Sequence, residues 1–147
     1  MNLFKDKKKA RLTGRRILLA EDVEINAEIM MDMLEMENIK VDHAENGQVA
    51  VDLFENSTEG IYSAILMDVR MPQMDGLEAA KVIRSMDRPD AQRIPIIALT
   101  ANSFDEDVQL SLQAGMNAHL SKPVEADTLI RTLGELIYEA EQSLGKI

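Results

Sequence analysis

The 147-residue chain contains no cysteine and no tryptophan, and aromatic residues make up only 3% of it. Without cysteine there are no disulfide bonds and no thiolate metal sites, which is typical of a reducing compartment, so we predict a cytoplasmic location. No apolar run approaches the roughly 20 residues that a membrane-spanning helix requires, so no membrane contact is expected. The beginning of the chain is charged rather than apolar, so no secretory signal is visible.

Charge is distributed unevenly along the chain. Residues 1–16 carry a net charge of +6, whereas the rest of the chain carries −16, and the whole chain has a formal net charge of −10. Because an acidic domain repels phosphate backbones, no direct nucleic-acid partner is expected. We predict a basic linker or flexible leader at residues 1–14, one folded domain at residues 15–141 and a frayed C-terminus at residues 142–147.

Short apolar runs alternate with longer amphipathic segments. The runs predict five strands, at residues 16–20, 40–44, 64–67, 94–99 and 118–121. The segments predict five helices, near residues 24–36, 49–54, 77–83, 104–114 and 125–140. The first helix is predicted to turn one apolar stripe to the core, made of Ile25, Ile29, Met33 and Met36 and thickened by Met30 and Leu34. This alternation predicts a flavodoxin-like (βα)5 fold, an α/β three-layer sandwich around a five-stranded parallel sheet of order 2-1-3-4-5.

Chemically active side chains follow four of the predicted strands. Glu21 and Asp22 come after the first strand, Asp68 after the third, Thr100 after the fourth and Lys122 after the fifth. Ligands of such sheets bind beyond the carboxyl ends of the strands, where these side chains converge. Three close carboxylates repel one another unless a cation is present, and oxygen ligands suit Mg²⁺. The set predicts a site that receives a phosphoryl group, with Asp68 as the nucleophile.

Four segments in this order resemble the response-regulator receiver domain of two-component signalling. The resemblance runs from about residue 16 to residue 137, and the segments are ILLAED at 17–22, MDVRMP at 67–72 with Asp75-Gly76, ALTA at 98–101 and GMNAHLSKP at 115–123. It implies that Asp68 is phosphorylated by a histidine kinase or a histidine phosphotransfer domain. It further implies that Glu21 and Asp22 hold Mg²⁺, directly or through water, together with Asp68 and the backbone carbonyl of Arg70.

The same resemblance implies that Thr100 and Lys122 contact the phosphoryl oxygens, and that a cis peptide bond follows Lys122. Thr100 also belongs to the family's switch, whose second member is usually an aromatic residue three positions before the lysine. Here that position holds His119, so His119 is the candidate partner of Thr100 in the switch. The Glu-Ile-Asn run at residues 24–26 resembles receivers of hybrid sensor histidine kinases, and a stand-alone relay protein is the other origin.

The same fold supports other functions besides that of a receiver. A pseudo-receiver, folded but never phosphorylated and acting as a protein-binding module, is the principal alternative. A flavin carrier is disfavoured because Glu21 and Asp22 would repel its phosphate. A phosphatase with an aspartate nucleophile would need a second acid two residues after Asp68, where this chain has Arg70. A receiver is a signalling module that catalyses its own phosphorylation and dephosphorylation, and the sequence leaves a weak homodimer open.

Overall fold

A computed structural model of the protein describes residues 8–101 and 105–144. Five strands and six helices follow one another along the chain. Their order is β1 (Arg16–Ala20), α1 (Glu24–Glu35), β2 (Lys40–Ala44), α2 (Gly47–Glu55), β3 (Tyr62–Asp68), α3 (Gly76–Arg84), α4 (Pro89–Arg93), β4 (Ile96–Thr100), α5 (Asp105–Gln113), β5 (Ala118–Ser121) and α6 (Ala126–Leu144).

All strand pairs are parallel, and the sheet has the order β2-β1-β3-β4-β5. The predicted fold class and strand order are therefore confirmed. The short helix α4 was not predicted; it begins with Pro89, which suits the first turn of a helix because its missing N–H needs no partner there. The predicted start of the fourth helix at residue 104 lies outside the described residues.

Helices cover both faces of the sheet, and the core consists of two clusters of buried residues. One lies between the sheet and helices α1 and α6, where Ala27, Met30, Leu34, Leu129, Leu133 and Ile137 are buried. The other lies between the sheet and helices α2, α3 and α4, where Ala50, Phe54, Ala80, Ile83 and Ala91 are buried. Successive residues of β1, β3 and β4 point to opposite clusters, which accounts for the nearly continuous apolar runs of these strands. In the described part of the chain, no helix is long and apolar enough to cross a membrane.

The apolar face predicted for α1 was right for Met30 and Leu34, which are buried, but wrong for Ile25, Ile29 and Met36, which are exposed. The helix buries Ala27, Met30 and Leu34, whereas Ile25 and Met36 are 60% and 81% exposed. Apolar residues occupy two stripes of this helix, and a hydrophobic pattern cannot tell which stripe faces the core. The exposed stripe begins beside the carboxyl end of β1.

Part of the predicted basic leader packs on the domain. The Ala10 N–H donates to the Gly134 carbonyl at 2.9 Å, and Ala10 and Leu12 pack against the α1–α6 core cluster. A Cβ at Gly134 would lie 3.2 Å from Lys9 Cβ, so the glycine allows the close approach of the leader. At the other end α6 continues to Leu144, past the predicted boundary at residue 141. The structured part is therefore longer at both ends than the sequence suggested.

Arg88 joins the α3–α4 connection to the end of α2. Its guanidinium lies 4.5 Å from the ring centroid of Phe54, donates to the Phe54 carbonyl at 2.9 Å and pairs with Asp90 at 2.7 Å. Partial burial alone would raise the pKa of Asp90, but the hydrogen bond and charge of Arg88 outweigh it and hold that pKa below its ordinary value. One side chain thus donates to a C-terminal carbonyl of α2 and pairs with the acid in the first turn of α4.

We predict that Arg88→Met lowers the free energy of unfolding by about 2 to 3 kcal/mol, since it removes charged hydrogen bonds and a cation–π contact while keeping an apolar side chain. Urea unfolding followed by circular dichroism measures the loss. Arg93→Met is the control, because among the described residues Arg93 makes no ion pair. Equal stability of the two variants would contradict the proposed role of Arg88.

Candidate functional site

The parallel sheet brings the predicted site residues to one edge. Glu21 and Asp22 directly follow β1, Asp68 is the last residue of β3, Thr100 is the last residue of β4 and Lys122 follows Ser121 at the end of β5. The strands are in register at this edge: Ala20 pairs with Met67, Asp68 with Leu99 and Thr100 with Ser121. The convergence expected from the strand ends is present in the structure.

Three carboxylates form the centre of the site. Glu21, Asp22 and Asp68 each place an oxygen within 4.8 Å of the other two. Glu21 is fully buried and Asp68 is 5% exposed, whereas Asp22 is open to solvent. Backbone amides fix the two buried groups: the Val23 N–H donates to Glu21 Oε2 at 3.2 Å, and the Arg70 N–H donates to Asp68 Oδ1 at 3.1 Å.

Lys122 is the counter-charge of the two buried carboxylates. Its Nζ lies 2.6 Å from Asp68 Oδ2 and 2.8 Å from Glu21 Oε1. Burial alone would lower the pKa of Lys122, but the hydrogen bonds and charges of Asp68 and Glu21 outweigh this effect and raise it above its ordinary value. The side chain is therefore an ammonium at neutral pH, held against both carboxylates. The peptide bond from Lys122 to Pro123 is cis, as the resemblance implied.

Thr100 lies in the wall of a cleft beside the carboxylates. The cleft has a volume of about 200 Å³ and is lined by Asp22, Asp68, Thr100 and Lys122 among others. Thr100 is buried, and its Oγ1 has no hydrogen-bond partner among the residues that the structure describes. A buried hydroxyl without a partner is unfavourable. A ligand oxygen in the cleft would remove this cost.

His119 and Thr100 lie on neighbouring strands. His119 pairs in register with Ala98, two residues before Thr100 on β4. Ala98 belongs to the core cluster beneath α2, α3 and α4, so Thr100 and His119 point toward that same face of the sheet. The structure thus brings the two residues of the candidate switch to one face.

The donor set at this edge fits a divalent cation. One ammonium against three carboxylates leaves two negative charges uncompensated, and two of the three groups are buried where water screens them poorly. All the clustered ligand atoms are oxygens, the donors that Mg²⁺ prefers, and one of the carboxylates is open to solvent, as a partly hydrated ion requires. The residues present can therefore hold a metal ion such as Mg²⁺.

Two close backbone contacts beside the site were not predicted. A Cβ at Gly76 would lie 2.1 Å from the Asp68 carbonyl oxygen, and one at Gly47 would lie 2.2 Å from the Met74 carbonyl oxygen. The sequence signals were present as Asn46-Gly47 and Asp75-Gly76, which indicate turns. A turn signal does not reveal which backbone approaches the glycine.

The model of the response regulator receiver domain family matches residues 17–134, so this chain belongs to that family. Among solved structures it is similar to the receiver domain of a sensor histidine kinase from Pseudomonas aeruginosa PAO1, at 40% identity and a TM-score of 0.77, covering 86% of this chain and 99% of that one. That domain was crystallised with a magnesium ion coordinated in its active-site cleft.

A second similar structure is the complex of the Saccharomyces cerevisiae histidine phosphotransfer protein Ypd1 with the receiver domain of its downstream response regulator Ssk1. It has 30% identity and a TM-score of 0.71, and covers 86% of this chain and 88% of that one. Among curated proteins, hybrid signal transduction histidine kinase M of Dictyostelium discoideum is 38% identical over 127 residues. The match takes in 86% of this chain but only 5% of the kinase.

We predict that Lys122→Met lowers the free energy of unfolding by about 3 kcal/mol without Mg²⁺, because two buried carboxylates lose their ion-pair partner. Millimolar Mg²⁺ should then stabilise the variant more than the wild type, since the variant has more uncompensated negative charge. Urea unfolding with and without MgCl₂ measures both effects, and Lys81→Met, at an exposed position of α3, is the control. A Lys122→Met variant with wild-type stability and wild-type Mg²⁺ response would contradict this description of the site.

Proposed function

We propose that Asp68 of this receiver domain accepts a phosphoryl group from a phosphohistidine. The observation that carries the proposal is the set of contacts around Asp68: a buried carboxylate at the end of β3, held by the Arg70 N–H and by Lys122, beside two further acids. A carboxylate fixed in this way is a nucleophile, while the neighbouring groups can neutralise the oxygens of an incoming phosphoryl group.

The proposed step is a displacement at phosphorus. One oxygen of Asp68 forms the new bond, the bond from phosphorus to the partner's imidazole nitrogen breaks, and its electron pair returns to that nitrogen. Lys122 is placed to contact a phosphoryl oxygen, and the Thr100 hydroxyl, which lacks a described partner, can donate to another. Mg²⁺, when bound by Glu21, Asp22, Asp68 and the backbone carbonyl of Arg70, would supply further neutralisation of charge.

The pseudo-receiver is less well supported. A domain that only binds proteins has no need for two buried carboxylates, a partly buried lysine and an unpaired hydroxyl at one edge of the sheet, because taking such groups out of water costs stability. Here Asp22, Asp68, Thr100 and Lys122 line one cleft, and Glu21 lies within 4.8 Å of the other two acids. Such a combination is expected of a reactive site rather than of a simple scaffold.

Mass spectrometry of the intact protein tests the acceptor. Incubation with Mg²⁺ and acetyl phosphate should add the mass of one phosphoryl group to the wild type and none to Asp68→Asn. Asp75→Asn is a matched control in the same loop, because asparagine keeps the N-cap that Asp75 provides for α3. Failure of the wild type to gain mass would favour the pseudo-receiver, and a gain in Asp68→Asn would place the acceptor elsewhere.

The partner proposed for this transfer is a histidine kinase or a histidine phosphotransfer domain, as the complex of Ypd1 with a receiver illustrates for its own components. The 38% identity to part of a hybrid signal transduction histidine kinase supports an origin in a hybrid sensor histidine kinase. In that setting residues 15–141 form the greater part of the receiver, and the segment before them, which packs on the domain at Ala10 and Leu12, would join it to preceding parts. We further propose that the domain acts in the cytoplasm.

Exposed apolar residues at and just before the start of α1 form a patch at the edge of the site. This patch, Val23, Ile25 and Ile29, adjoins Asp22, and Ile29 also lines a cavity of about 430 Å³ beside Glu21 and Lys122. Exposed acids of α1, Glu24 and Glu28, border the patch. A partner that inserts a phosphohistidine into the cleft must cover this patch, so we propose that it presents an apolar face with basic residues around it.

We predict that Ile29→Ser slows phosphoryl transfer from a purified phosphorylated histidine phosphotransfer domain by about tenfold, because the docked partner loses apolar contact. Labelling by acetyl phosphate, which needs no docked protein, should stay unchanged. Ile61→Ser is the matched control: Ile61 is 46% exposed against 48% for Ile29, but it precedes β3 at the opposite edge of the sheet. Equal transfer rates for the two variants would exclude this docking surface.

The consequence of phosphorylation is proposed to reach the surface through Thr100 and His119. When the Thr100 hydroxyl turns toward a phosphoryl oxygen, the space on its face of the sheet changes, and His119 on the neighbouring strand is placed to respond. The proposal rests on their shared face and on the unpaired Thr100 hydroxyl.

A further inference from the structure

The loop between β3 and α3 carries the backbone of the proposed site. Hydrogen bonds hold both of its ends: the Val69 N–H donates to the Leu99 carbonyl of β4 at 3.1 Å, and the Gly76 N–H donates back to the Val69 carbonyl at 2.9 Å. Arg70, whose N–H contacts Asp68, lies between these two attachments. The position of the loop therefore determines where the Asp68 carboxylate and the Arg70 backbone lie relative to the other acids.

A third attachment of this loop comes from a different βα unit. The Gly47 N–H, in the first turn of α2, donates to the Met74 carbonyl at 3.0 Å. The direction of this N–H is set by Asn46, a buried N-cap whose Oδ1 accepts from the Val49 N–H at 2.9 Å. The end of β2, just before Asn46, also contacts the site: the Ala44 carbonyl accepts a hydrogen bond from the Glu21 N–H at 3.0 Å.

Glycine at position 47 is required by space. A Cβ there would lie 2.2 Å from the Met74 carbonyl oxygen and 2.8 Å from the Met74 carbonyl carbon. Both are backbone atoms, so a larger residue can be accommodated only if the loop itself moves. Alanine would favour the helix by about 0.5 to 1 kcal/mol over glycine. Glycine at this position therefore lowers the stability of the helix but allows the close contact between α2 and the loop.

We propose that Gly47 is a positioning residue of the phosphoacceptor site. By contact with Met74 it sets the β3–α3 loop, and through that loop it aligns Asp68 and the Arg70 carbonyl with Glu21 and Asp22. The inference rests on the proposed function of Asp68, but it concerns a residue on α2 that touches none of the reacting groups. Gly47 is expected to influence the relative positions of the acids and therefore their affinity for a cation.

Two measurements on full-length Gly47→Ala test this role. Hydrogen exchange of the Val69 and Gly76 amides should accelerate by about tenfold, because the loop loses its third attachment. The Kd for Mg²⁺, measured by isothermal titration calorimetry, should rise by about tenfold, as is typical when groups that orient metal ligands are disturbed. Gly134→Ala is the matched control, a glycine within α6 whose added Cβ would meet Lys9 rather than the loop, and it should change neither quantity.

A second pair of variants covers the case in which Gly47→Ala does not fold. Asn46→Ala removes the N-cap that orients the Gly47 N–H without placing an atom against Met74, and it should raise the Kd for Mg²⁺ in the same direction. Asn46→Ser keeps a capping oxygen and should restore the wild-type value. A capping effect on stability alone would change the melting temperature without changing the Kd for Mg²⁺.

The outcomes separate this inference from the proposed function. Wild-type amide exchange and Mg²⁺ affinity in a folded Gly47→Ala variant would overturn the positioning role and leave Asp68 as the acceptor. If Gly47→Ala does not fold, equal Mg²⁺ affinities of Asn46→Ala and Asn46→Ser would overturn the positioning role. If the wild type gains no phosphoryl group from acetyl phosphate, the proposed function fails, and the exchange of the loop amides still decides whether Gly47 holds the loop.

Discussion

The burial of two carboxylates against one ammonium is the constraint on which the site depends. Glu21 and Asp68 are nearly inaccessible to water, and both contact Lys122 within 2.8 Å. Removing these charges from water is costly, and their attraction repays the cost only when the geometry is good. The geometry comes from three different strands, so the correct register of β1, β3 and β5 is a condition of the pairing. The same arrangement leaves negative charge unbalanced, which prepares the edge of the sheet for a cation.

Much of the fold could be predicted because it is encoded locally. The strands are short apolar runs that end at polar residues, and parallel strands separated by helices have few allowed orders. The site residues were predictable for the same reason: Asp68 and Thr100 end their strands, and the carboxyl ends of neighbouring parallel strands meet at one edge. Four separated sequence motifs then indicated which of the protein families with this fold the chain resembles.

Contacts between distant parts of the backbone could not be predicted. The face predicted for α1 was too broad because the helix has apolar residues on two sides, and only packing selects Met30 and Leu34 over Ile25 and Ile29. The leader was expected to be separate, yet Ala10 meets Gly134, a residue more than 120 positions away. A glycine in a sequence indicates conformational freedom or close approach, but its neighbour in space is a property of the folded chain.

The contacts of Lys122 and Thr100 suggest why a single modification can alter the whole edge of the sheet. In the unmodified domain the ammonium is shared between Asp68 and Glu21, and the Thr100 hydroxyl has no partner in the described part of the chain. On the proposed function, a phosphoryl group on Asp68 brings oxygens that compete for the ammonium and accept from the hydroxyl. Both effects would act at the ends of β4 and β5, and His119 shares the face of the sheet on which Thr100 lies. Because packed interiors deform in discrete steps, such a local rearrangement favours one of two surface states over the other.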